Sequence, residues 1–195
     1  MAKGAKKARS PDANEGDCGI PDKCHRTVPS WLVAVDNAPT ITMFFIGAAM
    51  LWLIWWPLAL LFLVYAFGSI VLFWGIICPY CNHYDTKACP CGYGVVAPRF
   101  FKRKKGDFTR IFKRNLSIMY PDWAIPFIAG VYLLWTGLTL LSIGLFVAFC
   151  IIGFALIPSI SRFVGCAGCE IKSQCPWVSF TGVSPGKAKP RSTKL

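Results

Sequence analysis

The chain has 195 residues, about one domain's worth, with 55% hydrophobic and 15% charged residues and a net charge of +12. A soluble domain carries ~25% charged residues, so this composition excludes an ordinary soluble fold. The cations are not spread along the chain but gathered into three segments, which directs the excess charge to lipid and topology rather than to nucleic acid.

Residues 1–35 form a polar, basic segment with Lys3, Lys6, Lys7, Arg9, Lys23 and Arg26. Its first apolar run starts near Thr40, too late for a secretory signal, so the run is expected to stay as membrane structure. Cys18, Cys24 and His25 lie in this segment and are possible additional metal ligands.

Residues 36–91 make the first unit, and no Lys, Arg, Asp or Glu occurs between Asn37 and Tyr84. A spanning helix needs ~20 apolar residues, and 41–77 is nearly twice that. One straight helix of that length would measure about 55 Å against a core of about 30 Å. The block is therefore either a hairpin, spanning or re-entrant, or one over-long tilted span. Charge favours the hairpin, because single spans would export the most basic loop against the positive-inside tendency. Trp52, Trp55, Trp56 and Pro57 mark its tip, since Trp favours the headgroup region and Pro interrupts a helix. That tip leaves a first arm of only ~16 apolar residues.

The block delivers the chain to Cys78, Cys81, Cys89 and Cys91, spaced C-x2-C-x7-C-x-C. Four thiolates within 14 residues suffice for a tetrahedral metal site, and the short CxxC turn aims two sulfurs at one ion. His83 is a spare ligand inside the cluster. Cys78-Pro-Tyr-Cys81 is similar to the glutaredoxin dithiol sequence, which implies thiol–disulfide exchange through Cys78 and Cys81. The match covers four residues, and the βαβ pattern that accompanies such a dithiol is absent from the sequence.

Residues 92–121 form a basic loop. Asp107 is expected to cap a helix over 108–120, with Phe108, Ile111, Phe112, Leu116 and Met119 on one stripe. With Lys102, Arg103, Lys104, Lys105, Arg110, Lys113 and Arg114 around it, this helix suits anionic lipid headgroups. The competing reading is an amphipathic helix packed on a partner subunit.

Residues 122–181 make the second unit. Its apolar stretch runs from Trp123 to Ser161 and is followed by Cys166, Cys169 and Cys175, spaced C-x2-C-x5-C. Gly130, Gly137 and Gly144 recur every seven residues, which predicts a helix continuing past Gly137 and a turn near Gly144 to Phe146. Cys150, alone in this block, reads as a small apolar residue. Residues 182–195 are a basic tail.

The two units repeat. Asp36 and Asp122 are 86 residues apart, as are Cys89 and Cys175, each of which is followed by Pro. Cys78 and Cys166 are 88 apart, as are Cys81 and Cys169. A duplicated pair of hairpins places both CxxC pairs on one face, where Cys78, Cys81, Cys166 and Cys169 could share one ion. Two apolar hairpins with a basic loop between them and both ends on one side also resemble the reticulon-type layout, which implies membrane shaping. That resemblance extends to layout and not to the cysteines.

Other chemistry finds little to work with. There are two His and nine carboxylates, and the sequence has no phosphate loop, dinucleotide fingerprint or Ser-His-Asp arrangement. Transport is not expected, because the apolar blocks hold no ionisable residues to mark an ion path. Tyr65, Ser69, Thr136, Thr139 and Ser142 are expected to bond to helix carbonyls or join helices.

The expected protein is an all-α integral membrane protein of two repeated hairpins, about four helices, with cysteine-rich surface loops. Its N-terminus, central loop and C-terminus lie on the cytoplasmic side. The expected role is non-catalytic, an anchor or accessory subunit of a membrane complex with Cys-ligated zinc. An iron–sulfur electron-transfer subunit is the alternative, and neither cluster matches the bacterial ferredoxin run. Palmitoylation of Cys78 and Cys166 is a third fate for these thiols.

Overall fold

The computed structural model describes residues 27–165, all helix and connecting turn with no strand among them. The main helices are α1 (Ser30–Ile54), α2 (Trp56–Ile76), α4 (Phe108–Asn115), α5 (Tyr120–Thr136) and α6 (Leu140–Cys150), with one-turn helices α3 (Tyr93–Val96) and α7 (Ile157–Ile160). Four continuous helical stretches are long and apolar enough to cross a membrane: Ser30–Ile54, Trp56–Tyr80, Phe108–Thr136 and Leu140–Val164.

α1 starts earlier than its apolar run. Pro29 sits extended at its N-cap, and the helix carries Asp36, Asn37 and Pro39 inside it. The first arm is thus 25 residues, not ~16. Polar groups within it are satisfied locally, as Asn37 Nδ2 donates to Val33 O at 2.7 Å and Thr42 Oγ1 to Ala38 O at 2.8 Å.

Trp55 alone breaks the chain between α1 and α2, in extended geometry (φ −166°, ψ 120°), and Pro57 opens α2 where its missing N–H costs nothing. The expected Trp-rich tip is there. Phe44 meets Phe62 and Phe67 edge-on at 6.4 and 6.1 Å, so the two helices run antiparallel.

The second turn is not near Gly144. α5 ends at Thr136, and Gly137 is extended (φ −177°, ψ 108°). Thr139 and Ser142 then bond each other's backbone N–H, both at 3.1 Å, and start α6 with a capping box. This local cap overrides the glycine periodicity. Gly130 does serve close packing, because a Cβ there would run into the Phe146 ring of α6. Gly137 and Gly144 have open space beside them.

α4 also differs from expectation. It stops at Asn115 and passes through a 3-10 turn, Leu116–Met119, directly into α5. Asp107 caps it, accepting from Arg110 N at 3.2 Å. Its stripe packs on the chain's own α2, with Phe112 buried and 5.8 Å from Phe73. Lys102, Arg103, Lys104, Lys105, Arg110, Lys113 and Arg114 are all exposed.

α1 is central. Met43, Phe44, Ala48, Met50 and Leu51 pack with Ala59, Phe62 and Ala66 of α2, Ala129 of α5, Phe149 of α6 and Ile157 of α7. Gly47 lets Pro126 of α5 approach, since a Cβ there would lie 2.7 Å from Pro126 Cγ. The outward faces stay apolar, as at Leu61 and Val64, 67% and 72% exposed, so lipid or an apolar partner must cover them.

Beyond Cys150 the helix widens to π geometry over Ile151–Leu156 and again over Ser161–Gly165. Pro158 between them removes an N–H and crowds the preceding turn, and the wider turns re-satisfy the carbonyls. Gly153 lies beside Met43, and Ser161–Gly165 still packs on α1. Because this helix runs antiparallel to α1, its last turn reaches the Ser30 end of α1. That end also receives the close of α2 and the start of α5, while Trp55 and Gly137–Thr139 lie at the opposite end.

Candidate functional site

The segment between α2 and α4 folds onto the Ser30 end of α1. Its first element is a 3-10 turn, Cys78–Tyr80, closed by Cys81 N to Cys78 O at 3.0 Å. Cys-Pro-Cys-Gly forms a second tight turn, with Gly92 N bonded to Cys89 O at 3.0 Å. Gly92 adopts φ +75°, a conformation that favours glycine, and a Cβ there would lie 2.6 Å from Val33 Cγ1. Gly94 follows for a different reason. A Cβ at Gly94 would collide with the His83 carbonyl oxygen and lie 2.9 Å from both the Thr86 oxygen and Cys89 Cβ.

These turns are tied to their surroundings. Val28 N donates to Lys87 O at 2.9 Å, and Asn37 Nδ2 donates to Cys91 O at 3.1 Å. Asp85 N donates to Gly94 O at 2.9 Å, and Lys104 N to Pro79 O at 3.1 Å. Tyr84 donates its hydroxyl to Phe101 O. The cysteine turns, the start of α1 and the basic loop are therefore one hydrogen-bonded body.

Cys78, Cys89, Cys91 and Cys150 are free thiols. Cys78 is buried, and Cys81, Cys89 and Cys91 are half-buried. The Cys91 thiol is shared between the Cys89 sulfur and the Asp36 carboxylate. That hydrogen bond, together with backbone N–H groups of Gly94, Cys91 and Tyr93, lowers Cys89 to about 6 against the opposing effect of burial. The same hydrogen bond, burial and the Asp36 charge push Cys91 well above its ordinary range. The pair thus divides into a thiolate at Cys89 and a neutral thiol at Cys91. Burial also pushes the Tyr93 hydroxyl up.

Among the described residues no three His, Cys, Asp or Glu side chains come together as a group that could hold a metal ion. The fold gathers Cys78, Cys81, Cys89 and Cys91 into one loop without assembling a closed set of ligands. His83 is buried in that loop, and its carbonyl accepts from Thr86 N and Thr86 Oγ1. Cys18, Cys24, His25, Cys166, Cys169 and Cys175 lie outside the described residues. Cys150 ends α6 and packs half-buried at the edge of the core, consistent with an apolar role.

Two carboxylates take a larger part than the sequence indicated. Asp36 meets Cys91 from inside α1. Asp122 is buried in α5, with its Oδ2 2.7 Å from Ser69 Oγ of α2. Each helix begins before its apolar run, and this carries both acids into the bundle. The sequence carried one signal, the 86-residue spacing of Asp36 and Asp122. Among the hydroxyls, Tyr65 and Ser69 join helices, Thr136 bonds back to Tyr132 O, and Thr139 and Ser142 cap α6. Compared with family models, with curated proteins and with solved structures, the chain matches none.

Proposed function

We propose that this protein is a non-catalytic membrane anchor or accessory subunit built from two related helical hairpins, with a cysteine-ligated zinc site on its basic, cytoplasmic face. One observation carries the reading. The first cysteine loop is docked on the Ser30 end of α1 through Asn37 and Asp36, and the last described turn, Ser161–Gly165, packs on α1 as it runs toward that end. Gly165 directly precedes Cys166. The ligand set in this reading is drawn from both clusters, with Cys78 and Cys81 joined by Cys166 and Cys169. A thiolate at Cys89, already ionised at neutral pH, gives the same face a ready sulfur donor. The exposed cations from Lys102 to Arg114 surround this face and suit anionic headgroups, in keeping with its cytoplasmic placement.

The test is metal analysis of protein purified in detergent without added metal. Stoichiometric zinc that is lost in a Cys78→Ser, Cys166→Ser double variant supports the reading. A brown protein holding iron and sulfide would replace zinc with an electron-transfer cluster, the alternative in the same site. Metal-free protein with unchanged folding sinks both.

A second reading has its own support. The hydrogen-bonded thiolate and thiol of Cys89 and Cys91 form the described pair best arranged for thiol–disulfide exchange, rather than Cys78 and Cys81. A Cys89–Cys91 disulfide that forms reversibly against a glutathione couple would favour it over metal.

A further inference from the structure

Asp122 lies in the first turn of α5, only 2% exposed, and is turned toward α2. Its Oδ2 is 2.7 Å from Ser69 Oγ, and its Oδ1 is buried without a hydrogen-bond partner among the described residues. Ser69 Oγ is also 2.8 Å from the Ala66 carbonyl oxygen. A hydroxyl has one hydrogen to give, and a carbonyl oxygen can only accept. If Ser69 gives its hydrogen to Ala66, the contact with Asp122 needs a hydrogen from the carboxyl. A carboxylic acid at Asp122 satisfies both contacts in one chain, from Asp122 Oδ2 to Ser69 Oγ to Ala66 O. An ionised carboxylate leaves one of the two contacts without a hydrogen, in addition to the orphaned Oδ1.

Among the described residues the surroundings offer no countercharge. α1, α2, α5 and α6 contain no Lys or Arg. The titratable group facing Asp122 from α2 is Tyr65, whose hydroxyl is given to Ile118 O at 2.7 Å. On α1 the one ionisable residue is Asp36, engaged with Cys91, and on α6 it is Cys150. A carboxylate buried among apolar helices without a cation is costly, whereas the neutral acid is hydrogen-bonded in place.

We infer that Asp122 is a proton-binding site within the helix bundle, holding its proton on Oδ2 against Ser69 at neutral pH and thereby joining α5 to α2. The ligand is a proton. Releasing it would place an unpaired charge at the α2–α5 contact, so the packing of these two helices is coupled to proton occupancy. This site stands apart from the cysteine loop and does not depend on its chemistry.

Infrared spectroscopy of the full chain in lipid vesicles tests the assignment. Wild type minus Asp122→Asn at neutral pH is expected to show the C=O stretch of a protonated carboxyl, and raising the pH is expected to abolish it. Ser69→Ala provides a second readout, because removing the acceptor shifts that stretch to higher frequency with the fold retained. If Asp122→Asn does not fold, the Ser69→Ala minus wild-type difference alone decides. The inference is overturned if the neutral-pH spectrum shows only carboxylate bands at this residue. It is equally overturned if added sodium or potassium chloride, rather than alkali, removes the protonated band, since the site would then be one for a metal cation.

Discussion

Gly94→Ala is the most exacting perturbation of the cysteine loop. The new methyl would collide with the His83 carbonyl and lie 2.9 Å from the Thr86 oxygen and Cys89 Cβ, where ordinary contact begins at 3.4 Å. Two of the three obstacles are backbone carbonyls, which cannot swing aside like a side-chain tip. The loop must open by about half an ångström or more, at the ~1–3 kcal/mol typical of overpacking. Opening it draws the Gly94 N–H away from the Cys89 sulfur. A hydrogen bond to a charged group is worth about 1.5–3 kcal/mol, or roughly one to two pH units. The Cys89 midpoint should therefore rise from about 6 to ~7–8. Peptide-resolved alkylation followed by mass spectrometry, run across pH, reads this at Cys89 alone. The midpoint is the quantity to follow, rather than the rate at neutral pH. A thiol of ordinary pKa is ~30-fold less ionised at pH 7, but its thiolate is intrinsically ~10-fold more nucleophilic, and the two effects nearly cancel. A midpoint unmoved in a folded Gly94→Ala protein would refute the backbone cradle.

Three further outcomes follow from the same geometry. Because Cys89 is lowered on folding, its ionisation stabilises the loop fully above about 8.5, and this contribution is lost as pH falls through about 6. Thermal unfolding in detergent should show that loss, and Cys89→Ser should flatten the profile. Gly130→Ala should cost about 1–3 kcal/mol in a detergent-titration unfolding experiment, because the methyl meets the Phe146 ring; Gly144→Ala, with open space, should be neutral or slightly stabilising. Trp55 and Trp56, exposed at the far end of the bundle, should be quenched most strongly by lipids brominated near the headgroup. Strongest quenching by probes at the bilayer centre would rule out spanning helices.

The sequence allowed the all-helical class, the Trp55 break and the Asp107 cap to be read, because each has a local cause: apolar length, Pro after Trp, and a short acceptor before a helix. The second turn was misread because seven-residue glycine spacing is a weak signal beside Thr139 and Ser142, whose two reciprocal bonds end one helix and begin the next. The early start of α1 was missed because Asp36, Asn37 and Pro39 look like a lead-in. They become helical once the Asn37 amide donates back to the Val33 carbonyl and the cysteine loop covers Asp36. The cysteine loop itself was visible only as spacing. Which thiol ionises depends on Gly92 and Gly94 turning backbone N–H groups inward, and no one-dimensional pattern carries that.

The single-residue connection at Trp55 and the three residues Gly137–Thr139 have a consequence for how the molecule meets its surroundings. Almost no polypeptide projects beyond the helices at that end. A protease, an antibody or a binding protein approaching from there would find two aromatic or apolar tips and little else to grip. The exposed cations from Lys102 to Arg114 and the cysteine turns lie at the other end. Among the described residues, the Trp55 end therefore offers a partner mainly aromatic and apolar side chains with the Thr136 and Thr139 hydroxyls, whereas the opposite end offers charge.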